Sequence, residues 1–295
     1  MGPQKRTILI TGCSDGSLGA ALALAFHKQG SWRVFASARN TSRLKDAEAA
    51  GIETVQLDTL SDASIAASVS RVAELTGGSL DALINNAGAA YSLPLMDVDL
   101  DKARGLFDLN VFSVLAVTRA CLPLLLKSTA PRGAMVINNT SAASQTAGTV
   151  PFQGIYNASK AAAASLTEVL RLELAPFGVR VINLVTGSVK SNFFDNAPKA
   201  TLPPGSMYNV AKAEIEEAMT GKDTDKNGAD QAEWASQVVG DLSRSSPPHW
   251  VWRGTYVRLV WLASFLPLGV FDGKVKKMYG LDVLERKVKE EAGGK

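Results

Sequence analysis

Cysteine is scarce, and the two that occur, Cys13 and Cys121, lie far apart in a chain of 295 residues. Two thiols so placed do not make a disulfide framework, and a reducing, intracellular setting is expected. There is no internal repeat and no low-complexity tract. No cationic, hydrophobic, cleavable leader is expected either, because "MGPQKR" leads directly into the apolar run "TILIT". Excess charge is small as well, +3 overall. From Trp250 onward nine Lys/Arg face five Asp/Glu, so the basic surplus belongs to the tail. No nucleic-acid partner is expected. The composition, 46% hydrophobic and 20% charged, suits one large α/β domain with a sizeable core.

Apolar runs alternate with segments of helical period. The runs are 7–11, 32–37, 52–58, 80–88, 133–141 and 179–185, with a short last one in "HWVWRG". Helical stretches fall at 18–29, 41–50, 62–76, 100–127, 155–176 and 230–243. Continuous apolar strands separated by helices predict a parallel sheet buried on both faces. The expected fold is a doubly wound, Rossmann-type α/β sheet of about seven strands, with helices on both faces and an apolar, then basic, C-terminal extension. Residues 1–254 form the dinucleotide-binding unit, including a polar substrate segment at 190–229. Residues 255–295 are a lid or membrane-associating extension of the same domain.

A glycine loop, "TGCSDGSLG" (11–19), follows the first strand and opens a helix. Glycines there let the backbone approach a pyrophosphate, and the helix N-terminus supplies N–H groups. Gly12, Gly16 and Gly19 are the candidates, with Ser14, Asp15 and Leu18 between them. The last interval is one residue longer than in the usual TGxxxGxG, and Gly19 takes the place of the final glycine. A simple tight turn is the alternative. At the end of the second strand, where an NAD site carries Asp or Glu, "FASARN" has none. Arg39, with Arg43 one turn later and Ser14 nearby, suits a 2′-phosphate, so NADPH/NADP+ is the expected cofactor. Arg39 as a solvated loop cation is the alternative. Further on, Tyr156 and Lys160 are spaced i and i+4, which puts an ammonium near a phenol and predicts a lowered phenol pKa.

"NNAG" (85–88), "LN" (109–110) and "YNASK" (156–160) resemble the short-chain dehydrogenase/reductase family in type and order over residues 5 to 254. Within it, the opening loop, "GIYNASKAAA", "WRG" and the tail are most similar to fungal NADPH-dependent 1-acyldihydroxyacetone-phosphate reductases and related fungal ketoreductases. The resemblance implies catalysis by Asn110, Ser141, Tyr156 and Lys160, with Asn110 supporting a proton-relay water and Lys160 holding the nicotinamide ribose. It implies cofactor contacts at Asp58, Asn86, Ala87, Gly88, Val189 and Ser191. Ser141 lies at the strand end but two residues further from Tyr156 than is usual, and Ser144 is the fallback. After the sixth strand, "NLVTGSVKS" carries Thr186 where the family has proline, which is expected to leave that loop freer.

The reaction implied is reduction of a ketone to an alcohol on an apolar small molecule or lipid. The alternative is a binding or non-redox role with a structural cofactor. No metal is expected: "DTDKNGADQAEW" (223–234) imitates a calcium loop but ends on Trp234, and Asp230 with Glu233 reads as a capping box. The aromatic stretch 255–271 is short and broken for a bilayer span, and Lys274, Lys276 and Lys277 follow it. Peripheral contact of 255–290 with endoplasmic reticulum or lipid droplet, a cytoplasmic location, a cleft lid and a homo-oligomer all stay open.

Overall fold

The computed structural model describes residues 5–197 and 199–293. Seven strands make one parallel sheet: β1 (Arg6–Ile10), β2 (Trp32–Ala38), β3 (Glu53–Gln56), β4 (Ala82–Asn85), β5 (Met135–Asn139), β6 (Arg180–Thr186) and β7 (Trp250–Arg253). Their order is β3-β2-β1-β4-β5-β6-β7. Chain direction across the sheet reverses between β1 and β4, and their carboxyl ends open a crevice there. Alternation within each strand builds two cores. Ile8 and Ile10 meet Leu22 and Phe26 of α1 (Leu18–Gln29) and Trp234, Val238 and Leu242 of α9 (Gln231–Leu242). Leu9 turns to the other face, toward Ile65 and Val72 of α3 (Asp62–Thr76) and Val117, Cys121 and Leu124 of α5 (Ser113–Leu125).

Several expected elements change on folding. The stretch 41–50 is a 3-10 turn followed by α2 (Lys45–Ala49). The stretch 100–127 is not one regular helix: α4 (Leu100–Phe107) passes through a π-helical turn, Asp108–Phe112, into α5. The long helix α6 (Gly154–Leu174) carries "YNASK". The calcium look-alike is no ligand-bearing loop, since α8 (Lys222–Asn227) occupies it after α7 (Lys212–Ala218). Asp230 caps α9 through N–H bonds from Ala232 and Glu233, both 2.9 Å. Glu233 does not reach back to close a capping box; its carboxylate accepts from Gln237.

A third, smaller core lies away from the sheet. Phe152, Leu202, Ala211, Ile215 and Met219 pack with Tyr208, Tyr279, Leu281 and Leu284. It joins the 190–229 segment to the tail helices α11 (Asp272–Met278) and α12 (Leu281–Gly293), which follow α10 (Val257–Ala263).

Candidate active site

At the carboxyl end of β1 the chain turns through Gly12, φ +71°, where a side chain would meet the Ala87 backbone at 2.8 Å. A Cβ on Gly19 would strike Asn86 Nδ2 at 2.6 Å and the Gly12 carbonyl. Ser17 caps α1 by accepting from Ala20 N–H and donates to the Gly12 carbonyl at 2.9 Å. This leaves the N–H groups of Leu18 and Gly19 in the first helical turn for an anionic ligand. Cys13 is not a reactive thiol. It is buried, donates to the Ile10 carbonyl, and burial pushes its pKa up to about 12. A close-packed glycine cradle at a helix N-terminus fits a dinucleotide.

Asp15, in the first interval of the loop, has a structural use. Asp15 accepts the Lys45 and Asp46 N–H groups at 3.2 and 3.0 Å, so its carboxylate caps α2. Its own N–H donates to the Arg43 carbonyl at 2.8 Å. The Asp15 carboxylate, N–H and carbonyl, the last accepting from Asn192, are thus all engaged within the protein. Beside it, Arg39 and Arg43 are exposed at the end of β2. Ser14 is partly exposed in the same loop. Asp58, after β3, accepts from Leu60 N–H at 3.0 Å in a tight turn.

Asn86 stitches the crevice together. Its amide donates to the carbonyls of Thr11 and Gly12, and the Thr11 hydroxyl accepts from the Asn86 and Ala87 N–H groups. Asn86 in turn accepts from Asn139 at 2.9 Å, and Asn139 accepts from the Thr186 hydroxyl at 2.6 Å. One chain of polar side chains thus links the ends of β6, β5, β4 and β1. Thr186 in the proline position is buried and pinned, so the expected freer loop is corrected. In the sequence, the adjacent "NN" and the missing proline are the only traces of Asn139 and this link.

The reactive groups converge above β5. Ser141, two residues beyond β5, caps a 3-10 turn, Ala142–Ser144; a second turn, Thr146–Gly148, takes up the longer interval to Tyr156. Ser141 is the side chain that acts on the Tyr156 phenol, while the Ser144 hydroxyl accepts from Gln145. Burial raises the phenol pKa and the Ser141 side chain opposes it, which corrects the expected lowering. Lys160 Nζ stands 6.0 Å from the centre of the Tyr156 ring and donates to the Asn139 carbonyl at 2.9 Å. Burial pulls its pKa down from 10.5 to about 8.

Asn110 is buried, its amide donating to the Ala89 carbonyl and the Ser159 hydroxyl, both 3.0 Å, and accepting from Ala89 N–H. Both amide hydrogens are used, so the side chain clamps the loop after Gly88 to α6. The segment after β6 runs back across the crevice. Val189 is buried and Ser191 partly exposed; Asn192 donates to the carbonyl of Asp15 at 2.7 Å, and Phe193 lies 5.9 Å from the Tyr156 ring. Asn192 and Phe193 had no signal in the sequence reading.

Comparison with known proteins agrees with this geometry. A family model described as short chain dehydrogenase matches residues 6–201. A short-chain dehydrogenase/reductase of Pestalotiopsis microspora is 44% identical over 288 residues, covering 97% of this chain and 98% of that protein. The NADPH-dependent 1-acyldihydroxyacetone phosphate reductase of Schizosaccharomyces pombe is 33% identical, covering 92% and 93%. The crystal structure of a short-chain dehydrogenase from Streptomyces avermitilis superposes with a TM-score of 0.74 at 26% identity, covering 97% and 99%. With its parallel sheet, glycine cradle and Ser141–Tyr156–Lys160 group, the chain belongs to the short-chain dehydrogenase/reductase family of oxidoreductases.

Proposed function

We propose that this oxidoreductase uses NADPH to reduce a ketone to an alcohol on an apolar substrate, either an acylated dihydroxyacetone-phosphate-like lipid or a secondary-metabolite ketone. The observation that carries the reading is the convergence of Ser141, the buried Tyr156 phenol and Lys160, whose Nζ lies 6.0 Å from the Tyr156 ring centre, above the end of β5. When bound, the nicotinamide supplies the hydride. The phenol of Tyr156, kept protonated at neutral pH by its burial, donates a proton to the substrate oxygen. Ser141 donates a hydrogen bond to the same oxygen and orients it. Lys160, charged below about pH 8, stabilises the tyrosinate left behind. The exposed guanidiniums of Arg39 and Arg43, with no carboxylate ending β2, support a 2′-phosphate. The S. pombe relative is NADPH-dependent by name. Phe193 beside Tyr156 supports an apolar substrate.

The test follows nicotinamide absorbance with a panel of apolar ketones, using NADPH and NADH in parallel. Wild type is expected to turn over with NADPH. Tyr156→Phe is expected to lose at least about a hundredfold in turnover, the scale of a removed general acid, with NADPH affinity kept. Retained turnover in the variant overturns the proton route, and a preference for NADH overturns the cofactor assignment.

A further inference from the structure

Helix α10 and the loop behind it are turned inside out relative to a soluble surface. Trp261, Leu262, Phe265, Leu266, Leu268 and Val270 are between 46% and 78% exposed within ten residues. Scattered single exposures are ordinary, but a contiguous apolar patch marks a contact surface. The patch is held in place rather than dangling. Val257 and Ala263 are buried, Val257 fills the space beside Gly187, and Val260 fills the space beside Gly148. Gly187 follows β6, and Gly148 ends the second turn after Ser141. The inner face of α10 therefore forms part of the rim of the reactive cleft, and its outer face carries the patch.

The charges beside the patch choose its occupant. Arg258, Lys274 and Lys277 are exposed and make no ion pair among the described residues; Lys276 pairs with Glu285 at 3.7 Å. A two-fold contact with a second copy would bring these like charges toward their counterparts. An anionic lipid surface would meet both the apolar side chains and the cations. Pro267 and Gly269 break the segment after α10, and its seven-residue helix is far too short to span a bilayer, so the contact is interfacial.

We infer that residues 258–277, not the whole tail, form a rigid docking face that seats the cleft rim on an anionic membrane surface. Given the reductase reading, an apolar ketone then passes from the bilayer to Tyr156 without crossing water. The docking itself stands on the patch and the cations alone.

Flotation of the full chain with phosphatidylcholine vesicles, with and without phosphatidylserine, tests it. The chain is expected to float with the anionic vesicles and to release as salt is added. A Trp261→Ser, Phe265→Ser, Leu268→Ser variant is expected to stay unbound. Arg258→Gln, Lys274→Gln, Lys277→Gln is expected to lose about fivefold in vesicle affinity per cation. Circular dichroism and turnover of a water-soluble ketone, expected within about twofold of wild type, show that the variants are folded. Wild type failing to bind at low salt overturns the inference, as does binding that survives loss of the three apolar side chains. So does a wild-type dimer that ignores vesicles and becomes monomeric in the apolar variant. An inactive chain that still floats overturns the reductase reading and supports the docking face.

Discussion

Thr186 stands where the family resemblance calls for proline, and its hydroxyl does what the ring would do by other means. Proline restrains a loop through a fixed φ, whereas Thr186 restrains it through a bond to Asn139, whose amide reaches Asn86 and whose carbonyl holds Lys160. Replacing Thr186 with valine keeps the volume and strands the Asn139 oxygen. An unpaired acceptor costs about 1–3 kcal/mol when buried and less at the half-buried Asn139, so the urea midpoint of Thr186→Val is expected to fall modestly. NADPH affinity, measured by fluorescence titration, is expected to fall about fivefold, equivalent to ~1 kcal/mol, with Thr186→Ser restoring it. A midpoint shift without an affinity change would reduce the link to a structural role. The phenol of Tyr156 shows the limit of spacing arguments at this scale. An i, i+4 lysine placed the cation correctly along the helix, but burial raises the phenol, Ser141 opposes it, and Lys160 spends a hydrogen bond on the Asn139 carbonyl.

Among the elements, α2 is five residues long and has no cap of its own, since Leu44 precedes it. Its first N–H groups are satisfied from thirty residues upstream by Asp15. Asp15 of the glycine loop thereby ties the cofactor cradle to the segment bearing Arg39 and Arg43. Asp15→Ala is expected to cost about 1 kcal/mol, the usual value of a lost helix cap, and to weaken NADPH more than NADH. Asp15→Asn, which keeps an acceptor, is expected to fall between. Chemical denaturation and paired titrations with the two cofactors measure both effects, and equal loss for NADPH and NADH would separate α2 from the phosphate site. Periodicity made the strands and most helices legible, because a buried parallel strand must be apolar and a covering helix must be amphipathic. It did not reveal the π turn at Asn110 or the helix at 222–227. The π turn sets Asn110 against Ala89 and Ser159, partners 21 and 49 residues away, and a local pattern carries no record of them. The short α8 is polar throughout and has no apolar stripe to read.

Across the whole molecule, the tail divides into parts with opposite relations to solvent. Leu259, Trp261, Leu262 and the apolar residues of 265–271 expose their side chains, whereas Leu281 and Leu284 of α12 pack into the small core around Phe152, and Lys287 pairs with Glu214 at 3.1 Å. Composition alone merged the two, because an apolar-basic stretch reads the same whether it faces lipid or its own chain. Removing residues 281–295 would uncover the Phe152 cluster while leaving α10 and α11. Two partly buried leucines stabilise by about 2 kcal/mol together, which for a domain of this size corresponds to a fall in Tm of roughly 5 °C. Since that core also carries the 190–229 segment, the truncated chain is expected to show a raised KM for bulky apolar ketones and a nearly unchanged kcat for a small soluble one. It is also expected to float with anionic vesicles as the full chain does. Loss of flotation on removing α12 alone would move the membrane contact into α12, and an unchanged KM would detach the small core from substrate binding.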